Sequence, residues 1–345
     1  MGKYSLDAFE VYPLVKLRPV MTAPGESSVR LLELSQSELE PETGNLLPPP
    51  VGEGRVILRL RLDGTKDICD ACGFVRRMGF CYGGGKGFAG VVLETESFSG
   101  VDRDELVAAY AQGFGETFLL VEPGTKQVDV CRRAGIGFGL WLPLERGVLS
   151  LRRSIGQQNL ARVWEKYPVY LYAGRELTAQ EWDAACRWHI SGADVALRVG
   201  PQMTLRRVMF PRDLTAGGVM PLRMWWQNLG TAPLYRDAQV RLELRKDGER
   251  FPIVLPGAAM RPGMGDSTLN GSAVLPRTEG TFGLWCGMSV GGAMLPLAME
   301  ARENGGMYEI GAITLDDVDR PYLATMWEEN YADGYYPLED PAQPE

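Results

Sequence analysis

Five carboxylates stand at the ends of apolar runs that break into turns. They are Glu94 and Glu96 after Phe88 to Leu93, Glu122 after Thr117 to Val121, Glu145 after Gly137 to Leu142, and Glu176 after Pro168 to Tyr172. Two carboxyl groups facing one cleft, one holding a proton and one ionised, can act as acid and base or as acid and nucleophile. In parallel β/α folds such groups sit at the C-terminal ends of strands. Trp141, Trp164, Tyr170 and Tyr172 lie near these carboxylates in sequence and would either stack on a flat ligand or pack in a core. His189 is the only histidine, which rules out a zinc site built from several histidines and leaves a Ser-His-acid triad dependent on that one residue. Ser191 is too near it in sequence to be the nucleophile, so His189 is read as a buried, hydrogen-bonded imidazole or as a substrate contact.

Two other patterns invite chemistry and are set aside. Cys69 and Cys72, with Cys81 nine residues on, lack a second Cys-x-x-Cys pair, and a helix would place both thiols on one buried face. Gly83-Gly84-Gly85-Lys86-Gly87 lacks the Ser or Thr that follows the lysine of a phosphate-binding loop, and no strand precedes it. No metal and no cofactor are expected.

The elements that must position these residues fall into two kinds. From Ser28 to Gly200, apolar strand runs alternate with short helical stretches: strands Val29 to Leu34, Gly54 to Leu62, Phe88 to Glu96, Thr117 to Glu122, Gly137 to Leu142, Pro168 to Tyr172 and Asp194 to Val199. Helices are expected over Asp67 to Met78, Asp102 to Gln112, Lys126 to Ala134, near Ser154 to Trp164, and over Thr178 to Trp188. Such alternation predicts parallel β/α units, as a reduced barrel or as an open sheet, with Leu205 to Phe210 as a candidate eighth strand. Pro48-Pro49-Pro50 cannot be helical, although a barrel would carry a helix there. From Thr204 the chain reads as short strands between Gly, Pro and Asp turns, the pattern of a β-sandwich. Within it, the strand Met220 to Gln227 would put Trp225 and Trp226 on opposite faces.

Several phrases resemble one family. Met224-Trp-Trp-Gln-Asn-Leu-Gly-Thr-Ala-Pro-Leu-Tyr235 and Met307 to Ile313 are similar to strands of an all-β domain of unknown function. That domain follows glycoside-hydrolase-like (β/α)8 barrels in proteins often labelled β-galactosidase-like. Val29 to Leu34 with Glu40-Pro41-Glu42-Thr43-Gly44, and Arg55 to Leu62, resemble the first two strands of such barrels. Pro168-Val169 and His189-Ile190-Ser191 resemble later barrel phrases.

The resemblance implies a reduced TIM-like (β/α) barrel over residues 28–203 and a C-terminal β-sandwich over 204–315. A lead-in of 1–27 precedes them and an acidic, aromatic tail of 316–345 follows. It also implies a protein acting on or binding carbohydrate, with Glu96 as general acid/base at the family's Gly-Glu-Trp phrase and Glu176 or Glu122 as second carboxylate. Here the glycines of that phrase are absent and Phe98 stands near the tryptophan. Glu94, Trp141, Tyr170, Tyr172 and His189 would contact the sugar. The carboxyl groups would stand roughly 5 to 5.5 Å apart for retention and about 6.5 to 9.5 Å apart for inversion. The competing reading is a non-catalytic glycan-binding or structural protein with a degenerate barrel.

The 345 residues, 45% of them apolar, suffice for two cores. A formal charge of −8 without a Lys/Arg block argues against nucleic acid as partner. No apolar run approaches the roughly 20 residues that span a bilayer, so no membrane partner is expected either. Six dispersed cysteines and an N-terminus without an apolar leader suit a cytoplasmic protein, or a secreted one from which a signal peptide has been removed. The sequence leaves the oligomeric state open.

Overall fold

The computed structural model describes residues 29–37, 55–63, 67–83, 88–115, 117–195 and 199–320. The lead-in, the Glu40 to Gly44 phrase, the triple proline, Gly84 to Gly87 and the tail beyond Arg320 lie outside the described residues. The described chain divides into two units. The first runs to Pro201 and takes in Gly230–Tyr235; the second holds Gln202–Leu229 and the chain from Arg236 on.

Seven strands of the first unit pair in parallel and in chain order: β1 (Val29–Ser35), β2 (Arg55–Arg61), β3 (Phe88–Glu94), β4 (Leu119–Val121), β5 (Phe138–Pro143), β6 (Val169–Tyr172) and β7 (Gly192–Ala193). Five α-helices connect them: α1 (Ile68–Tyr82), α2 (Gly100–Phe114), α3 (Gln127–Arg133), α4 (Val148–Gln157) and α5 (Ala179–Arg187). Local chemistry sets where several begin. Asp67 caps α1 by accepting the Cys69 N–H, while Ser99 with Asp102 and Thr178 with Glu181 form capping boxes on α2 and α5.

Alternation along the strands sorts their side chains onto two faces. Leu58, Leu60, Val91, Leu119, Leu140 and Leu171 pack outward with α1 to α5 in a large core. Val29, Ile57, Val92, Leu120, Trp141 and Tyr170 meet on the other face, one residue from each of six strands. The sheet curls until its two ends approach each other. At Gly192 a Cβ would fall 2.8 Å from Val29 Cγ2, so β7 arrives beside β1. Even so, the strand order runs from β1 to β7 without a hydrogen-bonded closure.

The expected reduced TIM-like (β/α) barrel is therefore corrected to a nearly closed, seven-stranded parallel sheet with too few helices for a (β/α)8 fold. The candidate eighth strand is part of β8 (Met203–Met209), which pairs antiparallel with β10 (Val219–Asn228) in the second unit. An extended run can join whichever edge the chain brings it to, and sequence alone does not say which.

Between and after β8 and β10 the second unit adds β9 (Asp213–Thr215), β11 (Ala238–Lys246), β12 (Glu249–Ile253), β13 (Ala259–Met260), β14 (Gly265–Val274), β15 (Gly280–Val290), β16 (Ala293–Leu295), β17 (Glu303–Asn304) and β18 (Met307–Asp316). One sheet is β14-β10-β8; the other holds eight strands around β12-β11-β15-β18-β17, with β9 parallel to β18. In β10, Trp226 is fully buried, whereas Trp225 is half-buried with the Arg207 guanidinium 5.6 Å from its ring centre. Among the described residues no helix is long and apolar enough to cross a membrane.

Candidate functional site

The inner face of the parallel sheet changes character along its strands. Most strands enter with apolar side chains on this face and leave with polar ones, because the same period of two continues past the apolar cluster. After Val29 and Leu31 come Glu33 and Ser35; after Ile57 come Arg59 and Arg61; after Val92 comes Glu94; after Leu120 comes Glu122. After Tyr170 comes Tyr172, and Asp194 follows Gly192. The C-terminal end of the sheet is thus a polar mouth over an apolar floor.

Its carboxylates are paired. Arg59 Nη1 lies 2.9 Å from Glu33 Oε1 and its Nη2 lies 2.5 Å from Glu94 Oε1, so one guanidinium joins β1 to β3. Arg61 Nε stands 3.7 Å from the other oxygen of Glu94. Arg146 Nη1 donates to Glu122 Oε1 at 2.5 Å and to the Pro123 carbonyl at 2.6 Å. Glu94 and Glu122 follow the last residues paired between β3 and β4, Val92 and Leu120, by two positions each. Adjacent strands lie about 4.8 Å apart.

Two more acids tie down the rim. Asp63 accepts from the buried Ser35 hydroxyl at 2.6 Å and from the Ser37 N–H at 3.2 Å, and the Ser35 bond above all holds its carboxyl below the usual carboxylate range. Asp194 accepts the N–H groups of Ala173 and Gly174, both at 2.7 Å, and so fixes the turn that follows Tyr172. Tyr172 stacks on Trp141 with ring centres 5.3 Å apart. Of the aromatics expected to meet a sugar, Trp141 and Tyr170 are 4% and 3% exposed and belong to the floor, which leaves Tyr172 as the half-exposed one.

The remaining sequence candidates stand elsewhere. Glu96 and Glu176 lie beyond the strand ends and are exposed, and neither carboxylate takes a hydrogen bond from another described side chain. Glu145 is exposed in the turn after β5. His189 precedes β7 and so sits at the opposite, N-terminal end of the sheet. Its Nδ1 is 3.0 Å from the Thr231 carbonyl, which can only accept, so this nitrogen carries the proton; the ring stacks on Trp164 at 3.7 Å. Cys69 is exposed and Cys72 buried, so the two thiols do not share the buried face expected of them. No cluster of three or more metal-ligating side chains occurs among the described residues.

Sequence reasoning missed Glu33, Arg59, Arg61, Asp63, Arg146 and Asp194. The signal for the arginines was present in Leu58-Arg59-Leu60-Arg61-Leu62. A parallel strand buried on both faces has no place for alternating charge, so that alternation marks where one face opens to water. A cleft of about 610 Å³ lies at the N-terminal ends of β5 and β6, lined by Arg132, Ile136, Leu160, Lys166 and Tyr167 among others. It holds none of the residues singled out from the sequence.

No protein-family model matches the chain, and no curated protein matches it in sequence. Among solved structures it is similar to a β-glucosidase from Listeria innocua in complex with laminaribiose, at 11% identity over 88% of this chain and 48% of that one, with a TM-score of 0.27. The same enzyme with glucose matches at 13% identity over 67% of this chain and 41% of the other, TM-score 0.22. A CARDB domain from Pyrococcus furiosus matches at 15% identity over 34% of this chain and 97% of its own length, TM-score 0.23. The chain spans about half the length of the β-glucosidase. At such TM-scores the description of the fold rests on the strand pairing of this chain alone.

Proposed function

We propose that this is a glycoside-hydrolase-like protein that binds carbohydrate at the C-terminal mouth of its parallel sheet without cleaving it. The observation that carries this reading is the pinning of Glu94 and Glu122, the two expected carboxylates that lie on the inner face, by Arg59 and Arg146. In each pair the guanidinium holds the carboxylate in place and competes with an anomeric carbon or a water for its lone pairs. As fixed acceptors and donors beside one half-exposed tyrosine ring, the same groups suit sugar hydroxyls, which need a few placed polar partners and one apolar face. Glu96 and Glu176 take no catalytic part in this reading. Titration calorimetry with a panel of mono- and oligosaccharides tests it. At least one sugar should bind, and Tyr172→Ala and Arg59→Ala should each weaken it at least tenfold. A panel that produces no heat with the intact protein would end the proposal.

The succession of Glu94 and Glu122 at the ends of neighbouring strands β3 and β4 favours a second reading, hydrolysis, for which a retaining pair needs carboxyls roughly 5 to 5.5 Å apart. Nitrophenyl glycosides assayed with the intact protein, Glu96→Gln, Glu94→Gln and Glu122→Gln separate the two. Turnover abolished by either of the last two substitutions, and not by the first, would replace binding with cleavage.

A further inference from the structure

The cleft at the N-terminal ends of β5 and β6 lies at the opposite end of the parallel sheet from the polar mouth, and nothing proposed for the mouth uses it. Its walls come from the loop after α3, the entry to β5, the chain leaving α4 and the short turn Val163–Glu165 before β6. Its volume, about 610 Å³, falls in the range of sites that hold one small molecule. One wall is apolar: Phe138 and Leu160 are buried beneath it, while Ile136, Val163 and Tyr167 are half-buried at its surface. The Tyr167 ring meets Phe118 edge-on with ring centres 6.4 Å apart, and its hydroxyl lies where a Cβ at residue 137 would stand. Gly137 therefore lets the tyrosine lie against the backbone entering β5, and the two contacts fix that wall in place.

The rest of the lining is cationic. Arg132, Arg162 and Lys166 stand with a single acid, Glu165, a local charge of +2 in a chain of −8. Part of that charge is already engaged: Arg132 Nη2 donates to the Gln158 carbonyl at the end of α4, and Arg162 Nε donates to Glu165 Oε1 at 2.6 Å. These bonds use one each of the five N–H donors that a guanidinium carries. Lys166 forms no ion pair with any described residue, so all three of its N–H donors are left for a ligand.

We propose that this cleft binds a small phosphate monoester with a flat apolar body. Such an ester carries about −1.5 to −2 charges at pH 7 and three acceptor oxygens, which match the surplus of two positive charges and the donors of Lys166, Arg132 and Arg162. A carboxylate would neutralise only half of that surplus. The apolar body would lie on Tyr167, Ile136 and Val163, where leaving water contributes affinity that the exposed cations alone do not supply.

Titration calorimetry of the full chain with phenyl phosphate as probe, beside phenol and inorganic phosphate, tests this. Phenyl phosphate should bind the intact protein at least tenfold more tightly than either fragment. Lys166→Glu should weaken it at least tenfold with Tm unchanged, since Lys166 is exposed. Arg153→Glu, which reverses an exposed cation of α4 outside the cleft lining, should leave its Kd within twofold. Three results would each overturn the proposal: no heat from millimolar phenyl phosphate, a fragment that binds as tightly as the ester, or an equal change in Lys166→Glu and Arg153→Glu. The last would mean that overall charge, and not the cleft, sets the affinity.

Discussion

Glu94, Glu122 and the arginines beside them show how a residue's neighbours decide its chemistry. Arg59 stands between Glu33 and Glu94, so Arg59→Ala leaves two acids facing each other across β2. It should cost about 1 kcal/mol, the modest figure for a part-exposed pair, measured by urea denaturation. Glu181 offers a pH-dependent counterpart. The Arg175 guanidinium in the first place, helped by the Thr178 N–H, holds its carboxyl down from 4.5 to about 2. A depressed carboxylate contributes stability that is complete above its unfolded value and is lost as pH falls through its folded one. The urea midpoint should therefore decline between about pH 4.5 and pH 2, by less in Glu181→Gln than in the intact protein. Thiols divide in the same way. Burial pushes Cys131 up to about 12 and also raises Cys286, while Cys69 is exposed. Iodoacetamide at pH 8 should label Cys69 in the folded protein and reach Cys131 and Cys286 only after unfolding, as peptide mass spectrometry would show.

Helix ends were legible in part. Thr178-Ala-Gln-Glu181 is a capping box readable from sequence, and α5 begins where it predicts; Thr178→Ala should cost about 1 kcal/mol in chemical denaturation. The helix expected from Asp102 begins earlier, at Gly100, because Ser99 takes the cap and Asp102 reaches back to it. The helix expected near Ser154 to Trp164 is displaced to Val148–Gln157. Leu151 and Ile155 face the core from that helix, Gly147 at φ 78° turns the chain into it, and Trp164 falls in a separate short turn. Helix contacts were hidden for another reason. At Gly79 of α1 a Cβ would run into the backbone of Gly113 on α2, a close approach that nothing local announces. Gly79→Ala should therefore destabilise by about 1 to 3 kcal/mol despite its better helix propensity, a sign that thermal unfolding would check.

Over the whole chain, a charge of −8 without a Lys/Arg block in the sequence predicts that the protein passes through heparin at pH 7 and ordinary salt. Firm retention there would reveal a clustered cationic surface. The sequence by itself determined the order and spacing of the apolar runs, the change to strands without intervening helices after residue 200, and two helix starts through Asp67 and Thr178. These depend on side-chain periodicity and capping within a few residues of chain. Only the tertiary structure decided that Leu205 to Phe210 pairs with β10 instead of adding an eighth parallel strand. It alone decided that Trp141 and Tyr170 form a floor, and that Glu94 and Glu122 meet arginines. Each of those outcomes depends on which strand lies alongside and how far the sheet curls, and residues distant along the chain set both.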